Sequence, residues 1–125
     1  MRNMDESFKL KLEESGADVQ STLRRFMGKE ELYLKFLKKF PEDQNYQKLG
    51  ESLEAGNYEE AFRNAHTLKG VAANLGLVPV QTVVSGLVEE LRNKSAEEVD
   101  VPKANAMLQD LKKEYEKFVE IINSI

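Results

Sequence analysis

Cysteine is absent from this 125-residue chain, and histidine occurs once. The first absence excludes disulfides and every thiolate-based metal site or nucleophile, and it agrees with a reducing compartment. No apolar run approaches the ~20 residues that a membrane span requires. The opening stretch MRNMDESFKLKLEESG scatters acids through its few apolar positions, so no signal peptide is expected there. A basic excess is lacking too. The formal net charge is −4, which disfavours nucleic acid and anionic membrane as partners. What is present is an ordinary globular composition. Apolar residues make up 41% of the chain, enough for a core and against disorder throughout, and the length suits one compact domain. These properties predict a soluble, cytoplasmic protein.

Apolar residues recur at three- and four-residue steps nearly everywhere, the helical period, and no long alternating segment competes with it. Phe8, Leu10 and Leu12 lie among charges, so residues 1–16 are expected to form an arm or a short helix. Asp18 is placed to cap a helix carrying Val19, Leu23 and Phe26, closed by Gly28. The next helix is expected over Glu30 to Phe40, with Leu32, Phe36, Leu37 and Phe40 facing inward and Pro41 interrupting it. A further helix carries Leu49 and Leu53 despite Gly50 within it. Asn57 followed by Glu60 is a capping-box pattern, and Gly76 with Leu77 suits a left-handed ending. They bracket a long helix, Tyr58 to Leu75. Pro79 fits the first turn of the next helix, whose stripe is Val80, Val84, Leu87 and Leu91, widened by Val83 and Val88. Asp100 and Pro102 open the last, with a seam of Ala104, Leu108, Leu111, Tyr115, Phe118 and Ile122. The expected fold is all-α. Residues 17–125 should form an up-down-up-down four-helix bundle with short additional helices at the N-terminus, because short connections make successive helices antiparallel.

The most specific chemistry lies in the long helix, in the run AHTLKGVAANLG. At 100° per residue, Ala61, Leu68, Ala72 and Leu75 fall on the opposite side from His66. Phe62, Arg63, Lys69, Gly70 and Ala73 lie within about 60° of it. One imidazole is thus flanked by a cation three residues on and a missing side chain four residues on. A solitary surface histidine is usually only a polar residue. Gly70, however, costs the helix ~1 kcal/mol relative to Ala and by the wheel faces solvent, where close approach by a second protein accounts for it. Lys69 is placed to hold an anion: one opposite charge at ~5 Å is worth ~0.8 to ~3 kcal/mol, depending on the local dielectric. His66 is too far from the helix N-terminus for backbone amides to serve instead.

With these residues in view, the chain resembles the histidine phosphotransfer (Hpt) domain family. AHTLKG at Ala65 to Gly70 and NLG at Asn74 to Gly76 carry the likeness. The segments LEAGNYEEAFRNAHTLKG and GADVQSTLRRFMGKEELYLKFLKKF extend it over roughly Ser15 to Arg92. The resemblance implies a phosphorelay intermediate of two-component signalling. His66 would accept a phosphoryl group from a receiver-domain aspartate and pass it to another receiver domain. Lys69 would assist the group and Gly70 would leave room for the partner. Implied partners are response-regulator receiver domains and a hybrid histidine kinase. One departure stands out. The family often places a polar side chain beside the histidine from the next helix, where Val88 stands here, leaving Gln81 and Ser85 as substitutes.

Imidazole titrates near neutrality and offers a free lone pair there, so it suits a nucleophile that must also give its cargo back. No autonomous kinase activity is expected, since the sequence has no Gly-rich phosphate loop or nucleotide-binding signature. No cofactor is expected on this chain either, because Mg²⁺ belongs in the receiver's acidic pocket. Docking is expected on Phe62, Arg63, Thr67 and Ala73. Arg24, Arg25, Lys35, Lys38 and Lys39 read as solvated faces. The competing class is a helical protein–protein adaptor in which His66 is incidental. A metal-bound bundle is disfavoured, because Arg63 occupies the place where a Glu-x-x-His pair needs its carboxylate.

Overall fold

The computed structural model describes residues 4–125. Seven α-helices occur among them: α1 (Glu6–Glu14), α2 (Val19–Arg25), α3 (Glu30–Lys39), α4 (Asn45–Glu54), α5 (Tyr58–Asn74), α6 (Val78–Leu91) and α7 (Val101–Asn123). Most of the boundaries have a local cause. Asp5, Asp18, Asn57 and Asp100 cap α1, α2, α5 and α7 by accepting backbone N–H bonds from Ser7, Ser21, Glu60 and Lys103. Only half of the expected capping box forms at α5. Asn57 accepts from the Glu60 amide at 3.2 Å, but the Glu60 carboxylate turns away to Arg63. Gly28, Gly56 and Gly76 follow α2, α4 and α5 with positive φ, the left-handed ending that glycine tolerates best. Pro41 is absorbed in a single 3-10 turn, Phe40–Glu42, which ends α3 one residue before Phe40.

Helices α4 to α7 form the bundle. Helix α5 lies between α4 and α6, and α6 packs on α7. Tyr46 of α4 stacks on Tyr115 of α7 with ring centroids 3.9 Å apart, which closes the ring of helices. The buried face of α5 is made of Ala61, Ala65, Leu68 and Ala72, with Leu75 just past its end. Three of those five are alanines, so α4 and α6 approach the helix closely. Asn64 is buried with them and donates to the Ser52 hydroxyl of α4 at 3.3 Å, which removes the penalty for a polar group in the core.

Helices α1 to α3 cover one end of the bundle, around the α5–α6 turn. Phe8 and Leu12 of α1 are buried in the core, while Leu10 between them is exposed. That is the i, i+4 face of a helix. Glu30 of α3 accepts from Met4 N–H and from Lys9 and so ties α1 to α3. Tyr33 is fully buried and donates its hydroxyl to the Leu75 carbonyl at 2.7 Å. Burial pushes its phenol well above the ordinary tyrosine range.

The expected inward face of α3 needs correction. Leu37 and Phe40 are buried as predicted, but Leu32 and Phe36 are among the exposed large apolar residues, and Tyr33 and Leu34 take the inner positions. Two packings compete for this amphipathic helix. The hydroxyl of Tyr33 has a carbonyl to reach only when that side chain points at the end of α5. The helix is rotated accordingly, and Phe36 is left against Phe26 at the surface.

Candidate functional site

His66 stands in the third turn of α5 and is exposed. None of its neighbours on the helix surface is buried, but they differ in exposure: Arg63, Thr67 and Gly70 are exposed, while Phe62, Lys69 and Ala73 are half-buried. A Cβ built on Gly70 meets nothing within 4 Å. The open space beside the imidazole is therefore real, and no packing within the chain requires a glycine there.

Phe62 is half-buried against the core and lies beside the imidazole, with ring centroids 5.9 Å apart and the planes tilted by 39°. The guanidinium of Arg92 also lies over this ring, with its central carbon 5.3 Å from the Phe62 centroid. Arg92 follows the last residue of α6, and Asn93 with φ 53° turns the chain there. Arg63 holds its charge in two ion pairs, with Glu59 at 3.0 Å and with Glu60. Thr67 donates to the Arg63 carbonyl at 3.0 Å within the helix. Two expected docking residues are thus engaged with their own helix turn.

A family model for the Hpt domain matches residues 31–120, from α3 into the last turn but one of α7. The chain belongs to the Hpt domain family. No curated protein and no solved structure matches the chain. Hpt domains carry phosphoryl groups in phosphorelays, as carriers rather than catalysts, and work with the receiver domains of two-component systems. The all-helical bundle agrees with that membership, and no helix among the described residues is long and apolar enough to cross a membrane.

In this Hpt domain Val88 is fully buried, so no polar group reaches the histidine from that position. Ser85 donates to the Gln81 carbonyl at 2.6 Å and is spent on its own helix. What α6 does bring to this face is Glu89. Its carboxylate accepts from Arg92 Nε at 3.2 and 3.3 Å and from Nη2 at 3.2 Å. The Arg92 hydrogen bonds hold this carboxyl below its ordinary range, and the charges of Arg92 and Lys69 act in the same direction. A carboxylate from α6 thus acts within range of the cation beside His66. The signal for it lay in another helix. Glu89 and Arg92 are i, i+3 partners on the exposed face of α6, and only the antiparallel α5–α6 pairing brings them to Phe62 and Lys69.

A groove of 510 Å³ lies further along α5, lined by Phe26, Phe36, Phe40, Val71 and Leu75 together with Arg25 and Lys39. Val71 and Asn74 place its α5 wall roughly 8 to 12 Å along the helix axis from His66. Arg25, expected to be merely solvated, donates to the Ala73 and Asn74 carbonyls at 2.8 and 3.2 Å. It caps the C-terminus of the helix that carries His66.

Proposed function

We propose that this domain takes a phosphoryl group onto His66 from the aspartate of one receiver domain and delivers it to the aspartate of another. A ring nitrogen of the neutral imidazole attacks the phosphorus of the acyl phosphate. The N–P bond forms as the O–P bond breaks, the electron pair leaves on the aspartate carboxylate, and the other ring nitrogen keeps its proton. Return of the group reverses each movement. The displacement is in line, so donor oxygen, phosphorus and nitrogen must align. A ring projecting from a rigid, doubly flanked helix meets that demand.

The single observation that carries this assignment is the exposed imidazole beside the empty Cβ position of Gly70. It supports an approach to the ring by a second domain. Lys69 supplies a cation for the incoming group, and Phe62, Thr67 and Ala73, with Arg63 at the rim, border the approach. The divalent metal that eases phosphoryl transfer arrives in the receiver's pocket, and the partner supplies most of the catalysis. The domain has no kinase activity of its own in this scheme.

The test is label transfer. Receiver domains of the source organism, phosphorylated in turn, should lose label to this protein, and the label should be acid-labile and alkali-stable. His66→Gln should abolish acceptance while helicity and binding to the receiver persist. A His66→Gln variant that still takes label would refute the assignment. Receivers that bind the domain but never exchange label with it would favour an adaptor.

A further inference from the structure

The cations around His66 are not idle before phosphoryl arrives. The guanidinium of Arg92 lies over the Phe62 ring, 5.3 Å from its centroid, and the same ring is 5.9 Å from the imidazole. The guanidinium is held in that place by three hydrogen bonds to the Glu89 carboxylate. Both partners are substantially exposed, at 42% and 64% of their side-chain surface. A pair of this kind is cheap to break. A phosphoryl group on His66 would carry up to two negative charges and three acceptor oxygens, against one charge and two oxygens on Glu89. Guanidinium matches phosphate bidentately, at short distance and with greater strength than an exposed carboxylate partner offers. Arg92 and His66 share Phe62 as a neighbour, so a turn of the long Arg92 side chain toward the histidine is the movement required.

We propose that Glu89 is an exchangeable counter-ion: it parks Arg92 beside the unphosphorylated histidine and yields it to the phosphoryl group after transfer. The inference rests on the assignment of His66 as the phosphoryl carrier. Glu89 acts through Arg92 and is a positioning residue, never touching the reacting atoms. Two consequences follow from its charge. It competes with the phosphoryl group for Arg92, and so it lowers the hold of the domain on its cargo. It also keeps the guanidinium from wandering, so the cation is in place when the group lands. A carrier that must release what it receives gains from such a competitor, because tight pairing would strand the phosphoryl group on the histidine.

The experiment compares the parent with Glu89→Gln, Arg92→Gln, the double variant and Glu89→Asp. The first readout is the side-chain ¹⁵N NMR signal of Arg92 before and after phosphorylation of the domain with phosphoramidate. The second is the equilibrium share of label on the domain when it exchanges with a receiver domain. Phosphorylation should move the Arg92 Nε signal in the parent and leave it unmoved in His66→Gln. Glu89→Gln should raise the label share on the domain about two- to fivefold, and Arg92→Gln should lower it by a similar factor, the span expected of one exposed ion pair. The gain from Glu89→Gln should shrink in the Arg92→Gln background, since coupled residues are not additive, and Glu89→Asp should restore the parent value. An Arg92 signal indifferent to a fully phosphorylated His66, or an undiminished gain in the double variant, would overturn the proposal while leaving His66 as the carrier. Failure of phosphoramidate and every receiver to label His66 would instead overturn the underlying assignment.

Discussion

Gly70 and Gly76 flank the last turns of α5 and live under opposite conditions. A Cβ on Gly76 would strike the Thr22 hydroxyl and lie 2.8 Å from the Asp18 carbonyl, and the backbone there has φ +70°. A Cβ on Gly70 would touch nothing, in an ordinary helical turn. The first glycine is demanded by the fold. Asp18 N–H donates to the Gly76 carbonyl at 2.9 Å, and α2 sits directly on the turn. The second is a helix-weakening residue with no packing return inside the chain. In the proposed function it leaves room for whatever approaches His66. A residue that costs stability and contacts nothing marks a site more clearly than a residue with many contacts.

The contrast can be broken most directly at Gly76. Gly76→Ala should cost about 2–4 kcal/mol through the left-handed backbone and the collision with α2, read from denaturant unfolding. A loss below ~1 kcal/mol would mean that the α2–α5 contact is soft. Tyr33→Phe removes the hydroxyl that pairs with the Leu75 carbonyl and should cost about 1–2 kcal/mol, the usual penalty for a buried acceptor left alone. An unchanged midpoint would show that the end of α5 does not need α3.

Glu90 extends the comparison to its neighbour Glu89. It points the other way, into the α6–α7 turn, and is 5% exposed on its side chain. It accepts from Lys94 at 2.7 Å and from the Asp100 amide at 3.3 Å. Those bonds, Lys94 first, hold its carboxyl below the ordinary glutamate range. A carboxyl depressed in the folded state contributes stability above its unfolded pKa and loses it as pH falls through the folded value. Glu90→Gln should therefore cost about 1 kcal/mol near neutrality and flatten the fall in stability on acidification below about pH 4.5. An equally steep acid limb in the variant would assign that limb to other carboxylates. The smallest effect on stability belongs to Gly70. Gly70→Ala should stabilise by about 0.5–1 kcal/mol. Gly70→Gln should leave stability nearly unchanged yet slow phosphotransfer about tenfold or more through lost alignment. Parent rates in the Gln variant would remove the steric account of this glycine.

Much of this was legible in the residues. Asp18, Asn57, Gly76, Pro79 and Asp100 mark helix ends because capping and left-handed turns are local physics, decided within four residues. The exposure of His66 and the openness at Gly70 follow from a wheel on a single long helix. Tertiary choice was not legible. Nothing local says that α3 turns Tyr33 inward and Phe36 outward, because the carbonyl that Tyr33 serves is 42 positions away. Arg25 read as solvated for the same reason: its acceptors lie 48 and 49 positions on. Glu89 and Arg92 were missed because the wheel of α5 is blind to what α6 lays against it.

The seat of Arg25 has an electrical consequence for α5. The last carbonyls of a helix gather about half a negative charge, and here they lie within two turns or so of His66. A guanidinium planted on the Ala73 and Asn74 oxygens cancels much of that charge at its source. An anion travelling toward the imidazole from that direction meets a levelled potential in place of a repulsive ramp.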